Sequence, residues 1–199
     1  MITGIALLLS LLSVKAQRVY LEAHAVLPMG IMSDIYQHSF GGSIGATFEH
    51  TDGNTATEAA LGYYSLQPKE STFSFLEGDG SISIEKYSNY HFIYGALGAS
   101  KYWNLNKELY FIAGLNLHGG FAFLNRSTEN DPKEDFFNLY GALCPFFQLN
   151  IDFKETYGLS IKTKLVTGIL LGDDLSIPER LNDRTISFQN SLGFYYYLD

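Results

Sequence analysis

Apolar and polar residues alternate along this chain in segments of about ten residues, separated by residues that favour turns. A period of two is typical of β-strands, because successive side chains of a strand point to opposite faces. Strands of about this length with a charge-free apolar face are typical of membrane barrels, in which that face meets lipid. The pattern therefore predicts an all-β chain, folded as an eight-stranded antiparallel up-and-down transmembrane β-barrel.

All the predicted strands except the fourth separate clearly into an apolar lipid-facing set and a polar set. In the seventh, for example, Leu159, Ile161 and Leu165 alternate with Ser160, Lys162 and Lys164. The predicted lipid-facing sets contain no Asp, Glu, Lys or Arg. The fourth strand is apolar on both faces. We assign its Phe92, Tyr94, Ala96 and Tyr102 to lipid and its His91, Gly95 and Lys101 to the lumen, which leaves Ile93 and Leu97 inside.

Short and long connections alternate between the predicted strands. The short ones are residues 51–56, 104–107 and 154–158, and the long ones are residues 28–41, 67–88, 125–135 and 172–184. Short periplasmic turns and longer extracellular loops alternate in this way in outer-membrane barrels. Pro145 falls inside the sixth strand, where a closed barrel has no edge for it, so we expect a β-bulge there.

The first residues predict export. An apolar stretch from Ile5 to Val14 is too short to span a bilayer, and Val14 and Ala16 suit the −3 and −1 positions of a signal-peptidase site. We expect residues 1–16 to be a signal peptide, cleaved near Ala16–Gln17, and residues 17–199 to be the barrel domain. The expected location is the outer membrane of a Gram-negative bacterium.

The composition limits the kinds of site and partner that we expect for this chain. Charged residues make up only 17% of the chain and aromatic residues 15%, with 14 Tyr and 15 Phe. Cys144 is the only cysteine, which excludes an intramolecular disulfide. The net charge of −8 argues against nucleic acid as a partner. The sequence shows no catalytic or metal-binding motif, and we predict no cofactor.

The leader, the alternating segments and the aromatic-rich last strand resemble the bacterial outer-membrane-protein β-barrel domain family, the OmpA/OmpX-like small barrels. The resemblance covers residues 18–199 and rests on this pattern. The last strand, residues 186–199, resembles the C-terminal signal read by the barrel-assembly machinery, although Leu198 and Asp199 follow Tyr197. The resemblance implies outer-membrane lipid and that machinery as partners, and it implies no single activity.

Inward-facing acids and bases predict a charge network in the lumen. Buried charges are costly unless they are paired, and the predicted inward faces hold three acids and three bases. This candidate lumen network consists of Glu22, Glu49, Glu58, Lys101, Lys162 and Lys164.

The connection at residues 67–88 predicts a protruding hairpin. A turn at residues 77–80 places Phe73 and Phe75 opposite Ile82 and Ile84 across the two strands. Such an apolar stripe suits a protein partner bound at the extracellular loops by strand addition. The alternative is that it packs against neighbouring loops.

An eight-stranded barrel has a lumen just wide enough for its own side chains, which argues against a diffusion pore. The expected function is that of a non-enzymatic outer-membrane barrel with a structural, surface-interaction or secretion-accessory role. One alternative is a lipid-modifying enzyme, for which His24, His91 and His118 are the candidate residues. Another is a secreted soluble barrel that binds an apolar ligand.

Overall fold

The computed structural model describes residues 18–50, 54–76, 78–128, 134–154, 156–171 and 184–198, so the predicted leader lies outside the described residues. These ranges contain ten strands and one short helix. In chain order they are β1 (Arg18–Met29), α1 (Met32–Ile35), β2 (Ser39–Glu49), β3 (Thr55–Leu66), β4 (Phe73–Leu76), β5 (Ile82–Tyr87), β6 (Tyr90–Asn104), β7 (Leu109–Thr128), β8 (Glu134–Lys154), β9 (Tyr157–Leu171) and β10 (Arg184–Tyr197).

Eight of these strands close into an antiparallel barrel. The order around it is β1, β2, β3, β6, β7, β8, β9 and β10, and β10 pairs again with β1. That last pairing runs from Arg18 opposite Tyr197 to Met29 opposite Ile186. The predicted eight-stranded up-and-down barrel is therefore confirmed. The remaining two strands, β4 and β5, form the hairpin between β3 and β6.

The barrel is apolar outside and polar or aromatic inside. On β10, for example, Leu192 is 59% exposed on the outer wall, whereas its inward neighbour Ser191 is buried. The alternation has this sense on every barrel strand, as predicted for all of them except β6. The described part of the chain contains no helix long and apolar enough to cross a membrane.

The assignment of the fourth barrel strand, β6, was wrong and has to be reversed. Phe92, Tyr94, Ala96 and Tyr102 are buried inside, whereas Ile93 and Leu97 are exposed on the outer wall. The physical reason is the space on the neighbouring strands. Tyr94 lies opposite Gly62 on β3 and Gly120 on β7, and a side chain at Gly62 would collide with the Tyr94 ring. Gly62 therefore makes room inside for the large ring, and Gly120 allows the close approach of the β6 backbone. Lys101 consequently lies on the outer face, near the turn end of its strand.

The bulge predicted at Pro145 was also wrong. The register between β8 and β9 is the same on both sides of it, since Leu143 pairs with Thr167 and Phe146 with Lys164. Cys144 and Pro145 have no paired residue on β9, so the backbone N–H that proline lacks is not needed for this pairing. The register shift in β8 lies at residues 152–154 instead.

The hairpin exists, but its predicted pairing was wrong by one residue. Leu76 lies opposite Ile82, and Phe73 lies opposite Glu85. The connection is five residues long rather than four, and a shift of one residue moves side chains to the other face. The stripe predicted from Phe73, Phe75, Ile82 and Ile84 is therefore not on a single face.

The hairpin is attached to the barrel on one side. Residues 85–87 of β5 pair with residues 126–128 of β7, above the point where β6 begins. Phe73 packs edge-on against Tyr87 with ring centroids 5.7 Å apart. In the turn, Ser81 donates its hydroxyl and its backbone N–H to Asp79 at 2.7 and 2.9 Å, and these bonds hold the pKa of the Asp79 carboxyl below its ordinary value.

A charge in the middle of the outer wall should destabilise the barrel more than a charge at its end. Leu97 lies in the middle of β6, and Leu97→Arg should lower the free energy of unfolding by about 2–4 kcal/mol, because arginine at the bilayer midplane loses hydration. Val19→Arg, near the turn end of β1, should lower the free energy of unfolding by only about 0–1 kcal/mol. Urea unfolding in phospholipid vesicles measures both values. Equal losses would contradict the view that hydrocarbon surrounds this wall.

Candidate functional site

The middle of the lumen holds a buried ion cluster. Lys162 on β9 projects inward and is 1% exposed. Its Nζ lies 2.8 Å from Oε1 of Glu22 on β1 and 3.3 Å from both carboxylate oxygens of Glu58 on β3. The ammonium group also lies over the rings of Tyr20 and Phe146, at 5.1 and 4.9 Å from their centroids. One lysine on β9 therefore links two acids from β1 and β3, which are not neighbouring strands.

Neutral donors satisfy the two carboxylates further. The Tyr20 hydroxyl donates to Oε1 of Glu58 at 2.8 Å, and the Asn116 amide donates to the same oxygen at 3.0 Å. Ser43 donates to Oε2 of Glu22 at 3.3 Å. A buried ion pair contributes to specificity only when its remaining hydrogen-bonding groups are satisfied. These bonds meet that condition for both acids.

Two histidines and a second lysine lie beside the ion cluster. His24 bonds through Nδ1 to the Ser191 hydroxyl at 2.7 Å and through Nε2 to the Ser43 hydroxyl at 3.0 Å. The His118 ring stacks on Tyr94 with centroids 4.2 Å apart. Lys164 is buried and lies over the same Tyr94 ring, 5.9 Å from its centroid. Both histidines are thus enclosed among lumen side chains.

The turn end of the lumen is closed by an arginine among tyrosines. The Arg18 guanidinium donates to the hydroxyls of Tyr102, at 3.0 Å, and Tyr110. It also lies 4.9 Å from the centroid of the Tyr195 ring. Tyr195 in turn donates to Asp152 at 2.5 Å. The guanidinium carries five N–H donors in a fixed planar arrangement, so it can donate to two phenol hydroxyls while it lies near a third ring.

The loop end of the lumen is closed by an apolar and aromatic cluster. Tyr64 and Phe92 stack with centroids 4.5 Å apart, and Tyr140 packs edge-on against Phe92 at 5.2 Å. Helix α1 contributes Met32 and Ile35 to the same cluster from above. The loop between β1 and β2 therefore packs onto the lumen rather than away from it.

Among the described residues, side chains fill the middle of the barrel. The cavity between the Arg18 site and the ion cluster has a volume of only about 10 Å³. That volume holds about one water molecule at most. The structure thus has side chains where a transport path would have to run, as the predicted strand number implied.

Four of the six predicted network residues meet in the lumen. Glu22, Glu58, Lys162 and Lys164 are all buried there. Lys101 does not join them, because its strand faces the other way, and its ammonium lies 5.8 Å from the Trp103 ring on the outer wall. Glu49 is half-buried at the turn end and lines a separate cavity there of about 250 Å³.

The Arg18 site was not predicted from the sequence, and His91 was predicted to face the lumen. Arg18 precedes the first apolar residue of β1, and only its parity with Tyr20 and Glu22 indicated an inward side chain. His91 lies on the outer face, where the Tyr63 hydroxyl bonds its Nδ1 at 2.8 Å and its ring stacks on Phe123. Within the described residues no group of three or more His, Cys, Asp or Glu is placed to hold a metal ion.

Comparison with known proteins bears on the fold. Neisserial surface protein A, NspA, superposes with a TM-score of 0.55 at 11% identity, over 91% of this chain and 96% of that chain. The attachment invasion locus protein Ail of Yersinia pestis superposes with a TM-score of 0.50 at 10% identity, over 92% of this chain and 100% of that chain. This chain has the OmpA/OmpX-like small-barrel fold.

No protein-family model and no curated protein sequence matches the chain. At 10–11% identity the likeness to the two solved barrels establishes the fold alone. The side chains that fill this OmpA/OmpX-like barrel therefore have to be interpreted from their own contacts.

Removing the central lysine should leave two buried carboxylates without their counter-charge. Lys162→Met is therefore expected to lower the free energy of unfolding by about 3–5 kcal/mol. The triple variant Lys162→Met, Glu22→Gln, Glu58→Gln should recover most of that loss, since it leaves no unpaired charge. Urea unfolding followed by tryptophan fluorescence measures both.

Lys101→Met is the matched control, because it removes the same charge from the outer face. It should lower the free energy of unfolding by less than about 1 kcal/mol, which is what an exposed contact between a lysine and an aromatic ring such as Trp103 contributes. If Lys162→Met costs no more than this control, the ion cluster does not stabilise the barrel.

Proposed function

We propose that this protein is an integral outer-membrane barrel without enzymatic activity, which acts through its extracellular loops. The observation that carries the proposal is the predominantly apolar outer wall around a closed, side-chain-filled lumen. A water-soluble barrel would need polar side chains on that wall. In a membrane the same wall is satisfied by lipid, and closure leaves no unpaired barrel strand in hydrocarbon.

The filled lumen directs function to the ends of the barrel. The ion cluster, the Arg18 site and the aromatic cluster lie one above another, with no passage between the first two wide enough for a solute. The interior therefore serves rigidity, and interactions with other molecules fall to the loops. The fold supports this proposal through its two similar barrels, a Neisserial surface protein and an attachment invasion locus protein.

The β4–β5 hairpin is the best candidate for the contacting surface. It extends the barrel wall beyond β6, and Leu76 and Ile82 lie opposite each other near its tip, each 69% exposed. An exposed apolar pair on an otherwise acidic set of loops suits a protein partner. This pair replaces the phenylalanine–isoleucine stripe that the sequence suggested.

The two alternatives receive less support from the geometry. A lipid-modifying enzyme would need its histidine accessible to lipid, whereas His24 and His118 lie among lumen side chains. A soluble carrier of an apolar ligand would need an apolar interior, whereas the middle of this lumen holds charges. His91 is the histidine on the outer face, and its contacts are with Tyr63 and Phe123.

Cell fractionation tests the proposed location. The protein should be recovered with the outer membrane, and its folded barrel should migrate faster than the boiled protein on a gel, because a closed barrel resists detergent. Extraction by alkaline carbonate should leave it in the pellet. Recovery in the soluble periplasm would overturn the proposal.

The absence of enzymatic activity needs a separate measurement. Lipid A from cells with and without the protein should give the same mass spectrum, since the proposal assigns no chemistry to the barrel. A reproducible change in acylation or headgroup mass would contradict it. His91→Ala would then show whether the one outward histidine among the described strands is responsible.

A further inference from the structure

The outer wall is not uniformly apolar. Among the described barrel strands, polar outward side chains that lie away from the strand ends occur on β9 and β10. They are Thr163, Thr167 and Asn190. The corresponding middle positions of the other six strands hold apolar side chains or glycine. The wall therefore has one polar site, and it lies on one side of the barrel.

Asn190 and Thr163 form the centre of this site. They are direct neighbours across the β9–β10 pair, and each lies in the middle of its strand. The Thr163 hydroxyl donates to Oδ1 of Asn190 at 2.8 Å. The outward neighbours of Asn190 along β10 are Phe188 and Leu192. The carboxamide is thus surrounded by apolar wall above and below.

The Asn190 carboxamide is only partly satisfied by these contacts. Its Nδ2 carries two N–H donors, and within the described residues its side chain makes no further hydrogen bond. Hydrocarbon offers no acceptor for them. Its Oδ1 has a second lone pair, so it can accept another bond while keeping the one from Thr163. The group therefore presents both a donor and an acceptor to whatever covers this wall.

A carboxamide is complementary to a second copy of itself. Two Asn190 side chains related by a two-fold axis can exchange N–H···O bonds, each keeping its Thr163. The next strand on the other side, β1, offers small residues that allow close approach, since Ala25 lies directly opposite Asn190 and Ala23 lies opposite Leu192. Small residues beside a polar group are typical of contacts between transmembrane elements.

We propose that two copies of the chain pack in the membrane through their β9–β10–β1 walls, about a two-fold axis that brings the two Asn190 carboxamides together. The inference rests on the proposed membrane location, because in water these donors would be hydrated. It names a second copy of the barrel as the partner and Asn190 as the residue that orients it.

Sedimentation equilibrium in density-matched detergent micelles tests the dimer. The variant Asn190→Leu changes an outward side chain and should leave the barrel folded. It is expected to weaken dimerisation about tenfold, which is the size of effect that one polar contact between transmembrane helices has in a membrane. Asn190→Gln retains the carboxamide and should recover part of the affinity. Leu97→Ala, at the same depth on the opposite wall, should leave the dimer unchanged.

Cross-linking in native outer membranes locates the interface. Ala25→Cys, beside Asn190, should give a covalent dimer with a flexible bismaleimide cross-linker, which spans the distance between two positions one strand from the two-fold axis, whereas Leu97→Cys should give none. The protein without either substitution is the control, because its natural Cys144 is buried inside the barrel. Heat-modifiable migration of each variant verifies that it is folded.

The outcomes separate the two proposals. A protein that fractionates with the outer membrane but is monomeric, or whose dimer is insensitive to Asn190→Leu, overturns the dimer and leaves the proposed location standing. A cross-link at residue 97 and none at residue 25 overturns the assigned face. A protein found in the soluble periplasm overturns both the location and the dimer.

Discussion

The pairing of β1 with β10 is the interaction on which the rest of the structure depends. It joins the first and last barrel strands along the whole length of β1 and removes the two edges that an open sheet would have. In hydrocarbon an open edge would leave a row of backbone donors and acceptors without partners. Closure allows most of the outer wall to be apolar, since the backbone needs no hydrogen-bond partner from the surroundings.

Closure with eight strands also fixes what lies inside. The lumen is so narrow that opposing side chains meet, and large and small residues have to alternate around it. The Tyr94 ring fits inside because its neighbour on β3, Gly62, has no side chain. The same narrowness brings Lys162 within bonding distance of Glu22 and Glu58, so charges that would be costly alone satisfy one another.

The filled interior determines where the protein can meet other molecules. Its charged, arginine–tyrosine and aromatic layers resist deformation and close the path that a solute would take. What remains is the surface, which has two distinct parts. The loop end carries the acidic connections and the β4–β5 hairpin. Away from the strand ends, the described part of the wall carries one polar site, at Asn190 and Thr163, where the outer surface departs from its apolar pattern.

The sequence by itself determined the number of barrel strands, the direction of most strands' faces and four of the charged residues that fill the lumen, Glu22, Glu58, Lys162 and Lys164. The alternation of apolar and polar residues indicates these features, because one face of each strand in a barrel of this kind carries no charged side chain. The tertiary structure alone decided the face of β6, whose two sides are both apolar because its inner side enters the aromatic cluster. It also decided the hairpin register, which depends on a single turn residue. The contacts of Arg18 with Tyr102, Tyr110 and Tyr195 likewise arise only from strands that are distant from it in sequence.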